Sequence, residues 1–169
     1  STADGKYDLA TAVEDIERIR KHYGIEQWIV EGHSWGANLA LVYAMMHPER
    51  TRSLLYIAGS GIYDNRHWSN KFHNNLVMRG EQLPEMDFPF NADVNTEGNR
   101  TLRQFGRAPD FYTRIAGMKT PALFVMAEND IRPSWPVEQL ANLMPMSKYI
   151  TIEDSSHYIW LDMPEKMRS

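Results

Sequence analysis

A serine between two glycines, Gly32-x-Ser34-x-Gly36, an aspartate at 130 and a histidine at 157 are the residues of this sequence whose types and order could do chemistry together. A serine hydroxyl is a poor nucleophile near neutral pH unless a base takes its proton, and that base must itself be held by a third group. Ser34 as nucleophile, Asp130 as the orienting acid and His157 as the base form such a set, in a chain order known for serines on sharp turns. The chemistry would be acyl transfer. Glu128 stands two residues before Asp130 and is the alternative acid, because an element boundary read from sequence can slip by that much. The glycine–serine pattern alone is weak: with Gly near ~7% of residues and Ser similar, chance supplies it in roughly one chain of this length in twenty.

The flanking elements strengthen it. Trp28-Ile29-Val30 is a short apolar, β-branched run, and Ala37 to Met46 is a mostly apolar stretch that must end near His47, because Pro48 disfavours helical geometry before it. Strand, tight turn and buried helix follow in that order. The backbone N–H of Trp35 then lies at a helix N-terminus, where it can stabilise an oxyanion. Upstream, Leu9, Ala12, Val13, Ile16 and Ile19 recur at helical spacing over residues 8–23, with Gly24 placed to end the helix. Its start is open between Asp8 as N-cap and Thr11 with Glu14 as a capping box.

Three more strands are expected at 53–58, 121–127 and 148–152, with a helix over 137–144 opened by Pro136. Strands alternating with helices predict an α/β fold: a mostly parallel sheet with flanking helices. Asp130 and His157 then follow the carboxyl ends of two strands, where open α/β sheets place their sites. Residues 61–119 break the rhythm. They are rich in Asn, Arg and aromatics and predict a helical and loop insertion, dividing the chain into a core of 1–60 and 120–169 and an insertion of 61–119.

Composition narrows the function classes. The chain has 169 residues, 43% of them hydrophobic, with 18 basic and 22 acidic residues for a formal charge of −4. One domain with a real core is expected, without the basic surface that nucleic acid or anionic lipid needs. With Cys at zero there is no thiol nucleophile, disulfide or Cys-ligated metal. No run approaches the roughly 18 apolar residues of a membrane helix, and a cytoplasmic location is expected. His22, His33, His47, His67 and His73 lack metal-ligand spacing and are read as surface or packing residues. No metal or cofactor is expected.

Gly32-His33-Ser34-Trp35-Gly36-Ala37, continued by Leu39-Ala40-Leu41, Tyr43-Ala44 and His47-Pro48-Glu49-Arg50, resembles the α/β-hydrolase superfamily, and within it the proline iminopeptidase branch. Asn129-Asp130 and His157-Tyr158-Ile159-Trp160 are similar to that family's acid and base segments. The resemblance implies an acyl-enzyme on Ser34, His157 as general base and acid, Asp130 behind it, the Trp35 N–H as an oxyanion donor, and a cap formed by 61–119. A serine at the elbow favours esters or amides over the reactions of relatives that place Asp or Cys there. The implied substrate is a small molecule or short peptide, with removal of an N-terminal proline as the narrower expectation. Glu81, Glu85 and Asp87 are carboxylates available to hold its amine.

Members of that family carry, ahead of the first helix read here, four further strands and a His-Gly-rich loop that completes the oxyanion hole. This sequence begins at Ser1 without them. Its four strands are therefore expected to match the family's fifth to eighth. The first should present an unpaired apolar edge, which a second chain or a swapped protomer would cover. The competing expectation is a small-ligand-binding module, or an inactive hydrolase fragment that needs another chain to complete its oxyanion hole.

Overall fold

The computed structural model describes residues 5–62, 66–81, 83–85 and 91–168. The chain opens with α1 (Leu9–His22), β1 (Trp28–His33) and α2 (Trp35–Met46), turns through Pro48–Arg50, and continues into β2 (Thr51–Ile57). An insertion carrying α3 (Arg66–Arg79), α4 (Ala92–Gly106) and α5 (Phe111–Ala116) follows. The chain then completes β3 (Ala122–Ala127), α6 (Trp135–Leu143), β4 (Ser147–Ile152), α7 (Ile159–Asp162) and α8 (Pro164–Arg168). Among the described residues the strands form one parallel sheet in the order β1-β2-β3-β4.

Strand alternation assigns the two faces. Val30, Leu54, Tyr56, Phe124 and Met126 face a large core built with α1, α2, α5 and α6, while Ile57, Val125 and Ala127 face a smaller one sealed by Ile159. The helix α2 is apolar almost all round because it is buried almost all round, from Ala37 to Ala44 apart from Leu39. It fixes the turn before it against the sheet. Asp8 is the N-cap of α1, its carboxylate accepting from both the backbone N–H and the hydroxyl of Thr11, and the Thr11 capping box does not form. Gly24 ends that helix with φ +63°, as its position predicts.

The strands run longer than their apolar cores suggest. β1 continues through Glu31, Gly32 and His33, and β2 starts at Thr51, because ladder pairing carries polar residues that periodicity does not mark, with Arg52 falling at a register shift between Trp28 and Ile29. The expected strand residue Ala58 instead leaves β2 with φ +47°. β1 lies at one edge, paired with β2 alone among the described residues, and Ile29 there is 63% exposed. None of the described helices is long and apolar enough to cross a membrane.

Two features hold the part of the fold that carries the elbow. The first is a buried polar cluster: Glu17 accepts from Arg20 Nε at 2.7 Å and from the Tyr43 hydroxyl at 2.5 Å, while Trp28 Nε1 donates to that hydroxyl at 3.2 Å. It ties α1, β1 and α2 together. The Arg20 hydrogen bond holds the Glu17 carboxyl far below its usual 4.5, to about 2, against the opposing effect of burial. The second feature is the close approach at Gly32, where an added Cβ would lie 2.1 Å from the carbonyl oxygen of Gly36. Gly36 itself has open space where a side chain would start.

Two outcomes are expected. A carboxyl whose folded value is depressed contributes stability above its unfolded value and loses it as pH falls through the folded one. Calorimetric Tm should therefore drop between pH 4.5 and about 2, and Glu17→Gln should lower Tm at neutral pH while flattening that acid segment. Denaturant titration should show Gly32→Ala losing about 3 kcal/mol or more to the backbone clash. Gly36→Ala should be neutral or gain up to about 1 kcal/mol of helix propensity.

Candidate active site

Ser34 is the residue that joins β1 to α2. Its backbone sits at φ 58°, ψ −121°, an uncommon conformation for a side chain other than glycine, and its N–H donates to Ile57 O at 2.9 Å. This turn lifts the hydroxyl above the carboxyl edge of the sheet. The imidazole of His157 meets it there, with Nε2 3.0 Å from Ser34 Oγ. On the other side of the ring, Nδ1 lies 2.6 Å from Asp130 Oδ2.

The loops that bring these groups together are themselves pinned. Asn129 N–H donates to Ser155 O at 2.9 Å, Ser155 Oγ donates to Ile152 O at 2.7 Å, and Asp162 accepts from both the N–H and the hydroxyl of Ser156. Asp130 and His157 end up 7% and 4% exposed. Glu128, the alternative acid, points elsewhere: its carboxylate accepts the Asp154 N–H at 3.0 Å and so caps the turn before His157. The imidazole meets Asp130.

Electrostatics set the tautomer. Burial pushes the Asp130 carboxyl up, but the hydrogen bond and charge of His157, together with the N–H and guanidinium of Arg132, outweigh it and leave the group below its usual 3.8. An ionised carboxylate only accepts hydrogen bonds, so the ring proton lies on Nδ1. Nε2 is then free to accept from the serine hydroxyl. This arrangement can move a proton from Oγ to Nε2 while Asp130 steadies the charge.

Trp35 begins α2, so no carbonyl of its own helix lies four residues behind its N–H. That leaves the N–H available at the elbow beside Ser34. Its indole packs against α4, where a Cβ on Gly98 would come within 2.8 Å of the ring. The insertion therefore reaches the residue next to the serine. No cluster of metal-ligating side chains is found among the described residues.

The sequence marks neither His33 nor Arg132 as a site neighbour, while Tyr158 and Trp160 belong to the base segment already named. His33, read as a packing or surface residue, sets its ring 4.5 Å from that of His157 and places Nε2 2.9 Å from the His157 carbonyl oxygen. Burial pushes His33 below its usual 6.5, which favours the neutral ring whose Nε2–H donates to that carbonyl. Trp160 packs edge to face against both Tyr158 and His33, and the Tyr158 ring lies tilted at 42° to that of His33. Arg132 donates its backbone N–H to Asp130 Oδ1 at 2.9 Å and places Nη1 3.2 Å from the same oxygen. Of the carboxylates considered for a substrate amine, Glu81 is occupied by Arg132, Glu85 is exposed, and Asp87 lies outside the described residues.

Comparison with known proteins supplies the family and the fold. A probable proline iminopeptidase of Streptomyces coelicolor is 54% identical over 116 residues, which cover 68% of this chain and 32% of that protein. The proline iminopeptidase of Neisseria gonorrhoeae is 51% identical over 43 residues, covering 25% of this chain and 14% of the enzyme. The matched segments thus span under a third of these relatives. Among solved structures, an α/β-hydrolase enzyme from a lagoon-sediment metagenome superposes with a TM-score of 0.72 at 19% identity, covering 99% of this chain and 69% of that one. The E-2-(acetamidomethylene)succinate hydrolase gives 0.71 at 16% identity, covering 99% and 73%. The family model of the α/β-hydrolase fold matches residues 1–101, more than half of the sequence, and the chain belongs to that family, beside the proline iminopeptidases.

Proposed function

We propose that this chain carries the reactive part of a serine hydrolase that cleaves an ester or amide bond through an acyl-enzyme on Ser34. The continuous relay from Ser34 Oγ through both nitrogens of His157 to Asp130, at 3.0 Å and 2.6 Å, is the observation that supports it. Ser34 Oγ attacks the substrate carbonyl carbon as its proton passes to His157 Nε2. The resulting oxyanion takes the Trp35 N–H, and collapse expels the leaving group, which carries away the proton from Nε2. Water then attacks the Ser34 ester, delivers its own proton to Nε2, and releases the acid as Oγ recovers that proton.

The substrate is a small molecule or a short peptide, and removal of an N-terminal proline is the narrower assignment that the iminopeptidase relatives support. A second chain or a swapped protomer completes the assembly by adding a strand along β1, whose outer side is unpaired among the described residues. That partner would bring the second oxyanion donor.

Labelling by a fluorophosphonate probe tests the assignment. One adduct per chain is expected at Ser34, with no adduct in His157→Ala and a labelling rate lower by about 10³-fold or more in Asp130→Asn. A folded sample that takes up no probe overturns it in favour of a binding module. Release of 2-naphthylamine from proline 2-naphthylamide should then separate an amide-cleaving enzyme from one that turns over only p-nitrophenyl acetate.

A further inference from the structure

One face of α3 is built onto the loop that follows Asp130. Trp68, Phe72 and Asn75 stand at i, i+4 and i+7, so they share a stripe of the helix. They meet consecutive residues of the loop in reverse order. Trp68 Nε1 donates to Pro133 O at 3.1 Å, the Phe72 ring lies 5.6 Å from the Arg132 guanidinium, and Asn75 Nδ2 donates to Ile131 O at 2.9 Å, where it is buried. Trp68 and Phe72 stack with 10° between their planes. After α3 the chain turns at Gly80, φ +68°, and delivers Glu81 to the far side of Arg132.

Arg132 is thus held from both sides. Its guanidinium spans Asp130 Oδ1 and both carboxylate oxygens of Glu81, with side chains of Arg132 and Glu81 only 18% and 16% exposed. Asp130 Oδ2 belongs to His157, so the Arg132 N–H and guanidinium meet the other oxygen of the same carboxylate. Around the imidazole, the charged and titratable groups are Asp130 from the loop after β3, His33 from the end of β1 and Tyr158 from its own loop. Behind Asp130 stand Arg132 and, from the insertion, Glu81.

We infer that Arg132 is a positioning residue for the Asp130–His157 pair, and that Glu81 and the Trp68–Phe72–Asn75 face couple the insertion to it. This builds on the hydrolase assignment, because it gives the insertion a part in setting the proton relay as well as covering a substrate. A merely structural clamp and an electrostatic one differ in a measurable sign. Removing the positive charge of Arg132 favours proton uptake by the imidazole–carboxylate pair, whereas removing the negative charge of Glu81 disfavours it. Loosening the loop would push both variants the same way.

Imidazole nitrogen NMR on the full chain labelled with ¹⁵N-histidine reads this without turnover. In Arg132→Gln the pH midpoint of the pair should rise, and in Glu81→Gln it should fall, each by about half a unit or more. Arg132→Lys, which keeps the charge but cannot fork between two carboxylates, should stay nearer the wild type in midpoint while losing fluorophosphonate rate. If Arg132→Gln does not fold, the downward shift in Glu81→Gln decides alone. Unmoved midpoints, or shifts of the same sign, overturn the coupling. A chain that never labels at Ser34 but shows the opposed shifts refutes the hydrolase assignment and leaves the coupling standing. A labelled chain with unmoved midpoints does the reverse.

Discussion

One imidazole carries two hydrogen bonds of opposite sense, and the usefulness of every other feature depends on both holding at once. His157 must donate from Nδ1 and accept at Nε2, so the group on the Nδ1 side has to remain an anion although it is nearly buried. An uncompensated carboxylate in that position would take up a proton, and a protonated Asp130 would no longer steady the imidazole charge. Arg132 and the loop N–H supply the compensation locally. The rest of the fold can then be understood as what keeps a hydroxyl, a ring and an anion in register from three remote stretches of chain.

A parallel sheet is well suited to this because all its carboxyl ends lie along one edge. The three groups follow β1, β3 and β4, while β2 contributes the carbonyl that anchors the Ser34 N–H. The insertion leaves the sheet after β2 and returns into β3, so it passes over the same edge and comes to rest on both the Trp35 indole and the 131–133 loop. Its two contacts differ in kind. Against Trp35 it offers the bare backbone of Gly98, and against the acid loop it offers hydrogen bonds, a stacked ring and an ion pair. A covering element attached only by apolar contact could slide, whereas one that shares an arginine with Asp130 cannot shift without disturbing that carboxylate.

Much of this was legible in the residues, and what was not had a physical cause. The apolar runs and the serine between glycines announced β1, the elbow and α2, and α2 most clearly, because burial almost all round leaves an unbroken hydrophobic signal. Ser34, Asp130 and His157 could be named because few residue types perform that chemistry and each followed a strand. Strand ends are longer than the apolar runs show wherever polar residues such as Glu31 or Thr51 extend a ladder. Arg132 and Glu81 were invisible as a pair, since an arginine after an aspartate looks like any turn residue and its partner lies 51 positions away. The stripe of α3 gave no periodic apolar signal either: one of its three members is an asparagine, and what it packs on is a loop. His33 packs, as one of its two expected readings has it, but ligand spacing tests for metals and does not reveal a ring hydrogen-bonded to the carbonyl of another histidine.

The strained backbone of the molecule gathers on the same edge. Among the described residues other than glycine, positive φ occurs at Ser34, Ala58, Ile62 and Asp154. Three of these lie within two residues of the ends of β1, β2 and β4. Each such conformation costs on the order of 1–3 kcal/mol and survives only where its surroundings over-determine it. A staircase of hydrogen bonds supplies that determination. The first residue past each of three strands still donates to the next strand over: Ser34 to Ile57 O at 2.9 Å, Ala58 to Val125 O at 2.8 Å and Glu128 to Ile152 O at 3.1 Å. The ladder thus runs one step beyond the strands, and the backbone bends away only after that step is fixed. Ser34 keeps its sheet-anchored N–H while its ψ swings the hydroxyl out of the sheet, so the strained turn is held by the same hydrogen-bonded framework that sets the spacing between the strands. The relay can be held to hydrogen-bonding distance because its starting atom stands on the last rung of that ladder.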